Sequence, residues 1–515
     1  MKISRRRLLL YGLLTVAAAR IFLQIAALPP YAGLDEIQHV ARLAFVAQEH
    51  RNPTTREASI PPYLDASIQQ RPDALPSFSQ IGERWPEVVR SNANVVIERR
   101  LNAADLRPYA GPNYEAQQPS IYYSLFAPLA RLLPQRSAVG ELRVWRIASG
   151  VLAIGIVLAT AIAGEMLFGE IAIAAAALLL MLPTWMTLVL RAGNDALACA
   201  FVAIAFAVTA AVPRRINGWI LEGLSWAAAF ATKLYTWPIG IVAAMLWWRQ
   251  RADRRRVMTV TGISGIGVVL TLYDLWRRTN NAFGVVAFDR PGGAVYDSGF
   301  NLSEIVRVTI ASAAWTSGQH WNALKPLAIA VYLGPVFLLL AVAMRRSKPP
   351  LSIAAAALIA FASAQAFNVI SCVLARRGGN PVPVGGKEGW YWYALAPVLV
   401  ATMIPPLIAR ARVVAIVLFA WLCAWDIFIT EGALFHDYAG ATSPAHPSLL
   451  FRWGPLHVPF AANLTGIGVG PLLGSLTLLR LIQIVTTAAL LRSAIRDLRS
   501  RHSHSIVDGG FDEMS

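Results

Sequence analysis

Residues 32–50 read AGLDEIQHVARLAFVAQEH and set two adjacent acids, a histidine and an arginine just past the first strongly apolar segment of the chain. In a helix over 34–50, Asp35, His39 and Arg42 stand at i, i+4 and i+7 and share one face, with Glu36 on its flank. Leu34, Ile37, Ala41 and Phe45 lie towards the other side. The spacing therefore predicts an amphipathic helix whose polar stripe is open to water or to a cavity. A carboxylate in such a stripe can accept a proton, carboxylate and imidazole together can hold a divalent cation, and a guanidinium can receive an anion. The same residues also suit the start of any helix, where acids favour the dipole and the charges pair among themselves. Spacing alone leaves both readings open.

The elements that must position these residues are apolar helices. Of 515 residues, 56% are hydrophobic and only 15% charged, and the mean hydropathy is +0.50, too apolar for one soluble core. A spanning helix needs about 20 mostly apolar residues. Candidates recur at 8–28, 146–168, 171–190, 196–212, 219–231, 235–248, 257–276, 326–344, 350–374, 391–409, 412–430 and 473–492, about twelve in all. The fifth and sixth are short enough to be one kinked helix, and charge decides between the two counts. Cytoplasmic loops collect Lys and Arg. Twelve spans from an inside N-terminus put MKISRRR, PRRI, RQRADRRR, MRRSK, RAR and the tail LRSAIRDLRSRHSH on one side, with both termini cytoplasmic. The net charge of +17 then reflects topology and anionic-lipid contact, and nothing in it calls for nucleic acid. The start SRRRLLL also resembles a twin-arginine export signal, and a basic start before an apolar run suits a cleaved signal peptide. With so many later spans, a retained anchor is the expectation.

This makes the expected fold an all-α polytopic membrane protein with a large first outer loop. Its parts are a first transmembrane helix in 1–28, an outer loop in 29–145, helices two to seven in 146–276 and an outer loop in 277–325. Helices eight to eleven follow in 326–430, then an outer loop in 431–472, a last helix in 473–492 and a basic cytoplasmic tail in 493–515. The middle of the first loop is rich in Pro, Ser and charge without a sustained period, and reads as loops and short helices over the bundle. No repeat or nucleotide-binding glycine pattern occurs; GISGIGVVL lies within a span and reads as helix packing. Cys199, Cys372 and Cys423 all fall in apolar segments, with no disulfide framework and no metal spacing.

Several segments together carry a family resemblance. The acid pair after the first span in LDEIQH, the long loop, and the return segment QQPSIYYSLFAPL resemble the type-C (GT-C) membrane glycosyltransferases. Within them the chain is most similar to a bacterial family of membrane proteins with Asp-Glu, then His three residues on, then Arg; Asp35, Glu36, His39 and Arg42 match that pattern. LPTWMTLVLRAGNDALACAF is similar to a family segment with Asn-Asp after the third span, which carries over to Asn194 and Asp195. ATKLYTWPIG resembles a segment with a lysine between two short helices, here Lys233, and GWYWYALAPVL a late segment that usually reads Gly-Arg-Tyr. Two positions depart from the pattern: Gln117 replaces a usual histidine before Gln-Pro, and Trp390 replaces the late arginine.

The resemblance implies transfer of a sugar from a polyprenyl-phosphate donor to a glycan, lipid or protein acceptor on the outer face of the cytoplasmic membrane. Such a reaction needs a carboxylate to take the proton of the attacking hydroxyl, for which Asp35 is the first choice and Glu36 the second. The leaving lipid phosphate needs positive charge. Lys233, Arg376, Arg377 and Lys387, with Arg191 in a very short outer turn, stand where the positive-inside bias argues against them; snorkelling to headgroups is the plain alternative. His39, Arg42, Gln117, Gln118 and Tyr122 complete the expected substrate contacts. Asp195, Asp274 and Asp426 near span ends are expected to pair with bases. Six of the eight histidines fall in outer loops, so Asp35 or Glu36 with His39 and a distant histidine such as His320 or His436 are candidates for a divalent metal ion. Two other classes stay open: a lipid-linked saccharide flippase, which expects mid-membrane charges and paired halves, and a glycan polymerase or ligase of another membrane family, with its long loop in the later half.

Overall fold

The computed structural model describes residues 4–27, 36–54, 57, 113–133, 137–212, 215–279, 351–377, 389–438 and 478–493, with isolated positions between 303 and 341. Its regular elements are α- and 3-10 helices. In chain order the α-helices are α1 (Arg5–Ala27), α2 (Glu36–Glu49), α3 (Ile121–Phe126), α4 (Ala138–Phe168), α5 (Ile171–Ala176), α6 (Pro183–Leu190) and α7 (Asn194–Ala210). There follow α8 (Ile216–Thr232), α9 (Ile241–Gln250), α10 (Arg254–Thr279), α11 (Leu351–Arg377), α12 (Ala396–Arg410) and α13 (Arg412–Tyr438). Residues 478–493 are also helical.

Among the described residues, four helical stretches are long and apolar enough to cross a membrane: Arg5–Ile25, Gly140–Phe168, Arg254–Thr279 and Tyr391–Arg410. The helices of 171–181 and 183–190 pass together but bend by 80°, which makes a possible fifth. The chain is a multi-pass helical membrane protein on these helices alone. The expected segment 326–344 lies largely outside the described residues, as do the middle of the first loop and most of 277–325 and 431–472.

Local chemistry explains the breaks that shape the bundle. Ser137 caps α4 by accepting a hydrogen bond from the Gly140 N–H at 3.0 Å. Gly169 ends the same helix at φ +78°, a conformation that costs glycine nothing. Pro183, with no N–H to lose, opens α6 after the sharp bend. Lys233 is extended between α8 and the 3-10 turn Leu234–Gly240. The carbonyls left open there are satisfied: Thr236 donates to the oxygens of Ala229 (2.9 Å) and Lys233 (2.7 Å), and the Trp237 indole to Phe230 O (2.9 Å).

Small residues set the close helix approaches. A Cβ at Gly267 would lie 2.6 Å from the Ala227 methyl, and one at Gly164 would lie 2.7 Å from Ala172, so α8 meets α10 and α4 meets α5 almost backbone to backbone. Polar clamps tie helices together in two places. Arg256 donates to both Glu222 oxygens (2.9 and 3.2 Å), to Gln250 (3.0 Å) and to Thr209 O (3.2 Å), joining α7, α8, α9 and α10. Elsewhere Arg20 of α1 and Arg480 of the last described helix both donate to Asp426 of α13. Val269, Leu270, Tyr273 and Trp276 are exposed on α10, a face suited to lipid.

Candidate functional site

Helix α2 keeps its polar stripe inside the protein. The sequence reading expected that stripe to be open to water or a cavity, but Glu36, His39 and Arg42 are 0–1% exposed. The reason is partnership: the return segment 113–126, α4 and the turn before α7 supply a donor or acceptor to each of the three. Glu36 forms a two-point ion pair with Arg146 of α4 (2.8 and 2.5 Å) and accepts the Ala192 N–H at 2.9 Å. Arg42 donates to the carbonyls of Glu115 (2.5 Å) and Gln118 (2.9 Å) and to Asn52 (2.8 Å), with its guanidinium 3.7 Å over the Tyr123 ring. From the other side Arg278 of α10, paired with Asp274, donates to the carbonyls of Ala116 (2.6 Å) and Gln118 (2.8 Å). Two arginines thus grip the backbone of the return segment. Burial pulls the Arg42 guanidinium down to about 9, which leaves it charged at neutral pH.

His39 joins a short chain of polar groups. Its Nδ1 lies 2.7 Å from the Tyr123 hydroxyl, which donates to Glu115 Oε2 at 3.0 Å. Glu115 lies 3.2 Å from Nδ1, close enough to favour imidazolium, yet burial first and then the charges of Arg191 and Lys233 hold the pKa well below the usual imidazole value. His39 is therefore neutral. Burial and the Glu115 charge push the Tyr123 hydroxyl well up, so its proton stays in place.

A second cluster abuts the first. Arg191, in the turn between α6 and α7, pairs with Asp195, whose other oxygen accepts from Lys233 Nζ and from the Tyr235 hydroxyl, each at 2.6 Å. Two cations share this one carboxylate. Gly193 sits where the clusters touch: a Cβ there would lie 3.0 Å from Arg191 Nε and 3.3 Å from His39 Nε2. Tyr235 in turn contacts the Tyr391 ring of the late Gly-Trp-Tyr segment, at 5.4 Å between centroids.

Among the expected site residues, Glu36, His39 and Lys233 come together through Arg191, Ala192 and Asp195, while Arg42 and the backbone of Gln118 belong to the clamp on the return segment. Gln117 and Gln118 are half-buried. Tyr122 is buried against Phe126 (4.6 Å), and it is the next residue, Tyr123, that meets His39. Asp195, Asp274 and Asp426 are each paired with bases. Asp35, His320 and Lys387 lie outside the described residues, and Arg376 and Arg377 are described by backbone only. A divalent cation does not fit Glu36, because its oxygens already face the Arg146 guanidinium and the Ala192 N–H. Among the described residues no group of three His, Cys, Asp or Glu could hold a metal.

Sequence reasoning missed Arg146, Glu115 and Tyr123. Arg146 carried a usable signal, a charge within an apolar segment, where such groups usually find a partner in the bundle.

No protein-family model matches the chain, and no curated protein matches it. Among solved structures it is similar to ArnT from Cupriavidus metallidurans, crystallised bound to undecaprenyl phosphate. The identity is 13% and the TM-score 0.45, with 94% of this chain and 76% of that one covered. What the site can do follows from its own residues.

The neutral state of His39 has a pH consequence. An unfolded histidine titrates near about 6.5, and the folded one well below, so below that value the unfolded chain binds the proton more readily. Stability contributed by neutral His39 is present above about pH 6.5 and is lost as pH falls towards the folded value. The apparent melting temperature in detergent should fall more between pH 7 and 5 for the wild type than for His39→Gln. Equal slopes would show that His39 is not the group held neutral.

Proposed function

We propose that the protein is an integral-membrane glycosyltransferase that moves a sugar from a polyprenyl-phosphate donor to an acceptor at the outer face of the cytoplasmic membrane. The observation that carries this reading is convergence. Four segments singled out in the sequence are far apart in the chain: 35–42, the return segment after residue 113, the turn 191–195, and Lys233. Their side chains meet in one buried polar centre: Glu36 on Ala192, His39 on Tyr123, Asp195 on Lys233. Buried ionisable groups are costly to keep inside a membrane protein, and their collection in one place fits a reaction site better than a scatter of structural pairs.

In this reading the acceptor oxygen attacks the anomeric carbon, the bond to the phosphate oxygen breaks with its electron pair, and the acceptor proton passes to Asp35, next in sequence to the anchored Glu36. Lys233 and Arg191 stand nearest to receive the phosphate, aided by Arg376, Arg377 and Lys387 of the outer segment. In the twelve-span reading, with both termini cytoplasmic, all of these belong to the outer side.

The test is reconstitution of the purified protein with a panel of polyprenyl-phosphate hexoses and pentoses and candidate acceptors, following release of polyprenyl phosphate. Release above that of protein-free vesicles, abolished with Lys233→Met, is the expected result. Movement of intact donor across the bilayer without release would instead favour the flippase reading.

A further inference from the structure

His39 Nε2 and both atoms of the Asn194 amide are buried without a hydrogen-bond partner among the described residues. Buried polar atoms are rarely left so, and each one unsatisfied is a cost that a ligand group can remove. These atoms belong to neighbouring parts of the site, because Nε2 lies 3.3 Å from the Cβ position of Gly193, the residue before Asn194. A Cβ at Gly193 would crowd both His39 and Arg191, so glycine is what lets the turn approach the imidazole.

The tautomer of His39 follows from its other nitrogen. Tyr123 gives its hydroxyl proton to Glu115, so the proton between Nδ1 and the Tyr123 oxygen belongs to the imidazole. Nδ1–H donates to Tyr123, and Nε2 keeps a bare lone pair. Glu115 and Tyr123 thus act as positioning residues that fix which side of the ring can accept. The groups facing His39 are Tyr123 and Glu115 of the return segment, Arg42 on its own helix, Arg191 and Asp195 at the α6–α7 turn, and Lys233.

We propose that His39 Nε2, as acceptor, and the Asn194 amide, as donor and acceptor, form a subsite for a neutral sugar hydroxyl at the edge of the Arg191–Asp195–Lys233 cluster. The subsite rests on the transferase reading and assigns its sugar-recognition side. A neutral imidazole with a bare nitrogen suits a hydroxyl proton, and an amide suits the same group from either direction. Arg191 and Lys233 next door pair with Asp195 and are assigned to the phosphate, which leaves the hydroxyl contact to these two residues.

The experiment uses full-length protein in vesicles, the same donor panel and the release assay. An Asn side chain at position 39 overlays Nδ1 and keeps the Tyr123 contact, whereas Gln reaches the place of Nε2. His39→Asn should therefore keep the unfolding midpoint near that of the wild type and lower kcat/KM by roughly 10- to 100-fold, the value of one hydrogen bond in a buried site. His39→Gln should recover part of the turnover despite a lower midpoint. Gly193→Ala, whose added methyl crowds Nε2 and Arg191, should lower kcat/KM while leaving the midpoint within a few degrees. A rise in KM for the donor alone assigns the hydroxyl to the transferred sugar, and a rise for the acceptor alone assigns it to the acceptor. Turnover by His39→Asn within twofold of the wild type, with His39→Gln the more damaged variant, would overturn the subsite and leave the transferase reading standing. No release from wild-type protein with any donor would overturn the transferase reading and the subsite with it.

Discussion

Arg146→Met is expected to lower the stability of the protein by about 3–5 kcal/mol, the usual cost of removing one partner of a buried ion pair. Glu36 and Arg146 are each 0% exposed, and their two contacts of 2.8 and 2.5 Å leave the carboxylate no solvent to fall back on. With the guanidinium gone, Glu36 still faces the Ala192 N–H but must either hold a buried charge that has lost this cation or take up a proton. The effect reaches the second polar cluster because Glu36 ties α2 to α4 and to the turn that carries Arg191 and Asp195. The midpoint of thermal unfolding in detergent and the yield of monodisperse protein are the measurements. The double replacement Glu36→Gln with Arg146→Met should recover much of the loss, since neither charge is then stranded. A single variant as stable as the wild type would show that the pair is not what holds α2 in place.

Asp35→Asn is expected to lower sugar transfer by roughly 10² to 10⁴-fold, the contribution of a positioned general base, with folding and donor binding nearly intact. Asn keeps the shape and removes the proton acceptor. The choice between the two acids is sharper with the fold in view. Glu36 is committed to Arg146 and Ala192 and is poorly free to take a proton, so in the proposed reaction the base role is assigned to its neighbour. Glu36→Gln should therefore show itself first in the unfolding midpoint and Asp35→Asn first in turnover at saturating donor. An Asp35→Asn protein within a few-fold of the wild type would remove the base from this residue.

The sequence by itself determined the solvent of this protein. Runs of apolar residues long enough to span a bilayer, basic clusters between them and an ionisable segment after the first were all legible, because hydropathy, charge bias and helical period are local properties. So were the helix break at Lys233 and the likelihood that Asp195, Asp274 and Asp426 answer nearby bases. Only the tertiary structure decided which partner each charge takes. Glu36 and Arg146 are 110 positions apart, His39 and Tyr123 are 84, and Arg20 and Asp426 are 406. No local pattern marks Tyr123 over Tyr122 as the partner of His39, or turns the polar stripe of α2 inward. Those outcomes follow from long-range packing, in which a buried charge settles where a distant segment offers its complement at lowest desolvation cost.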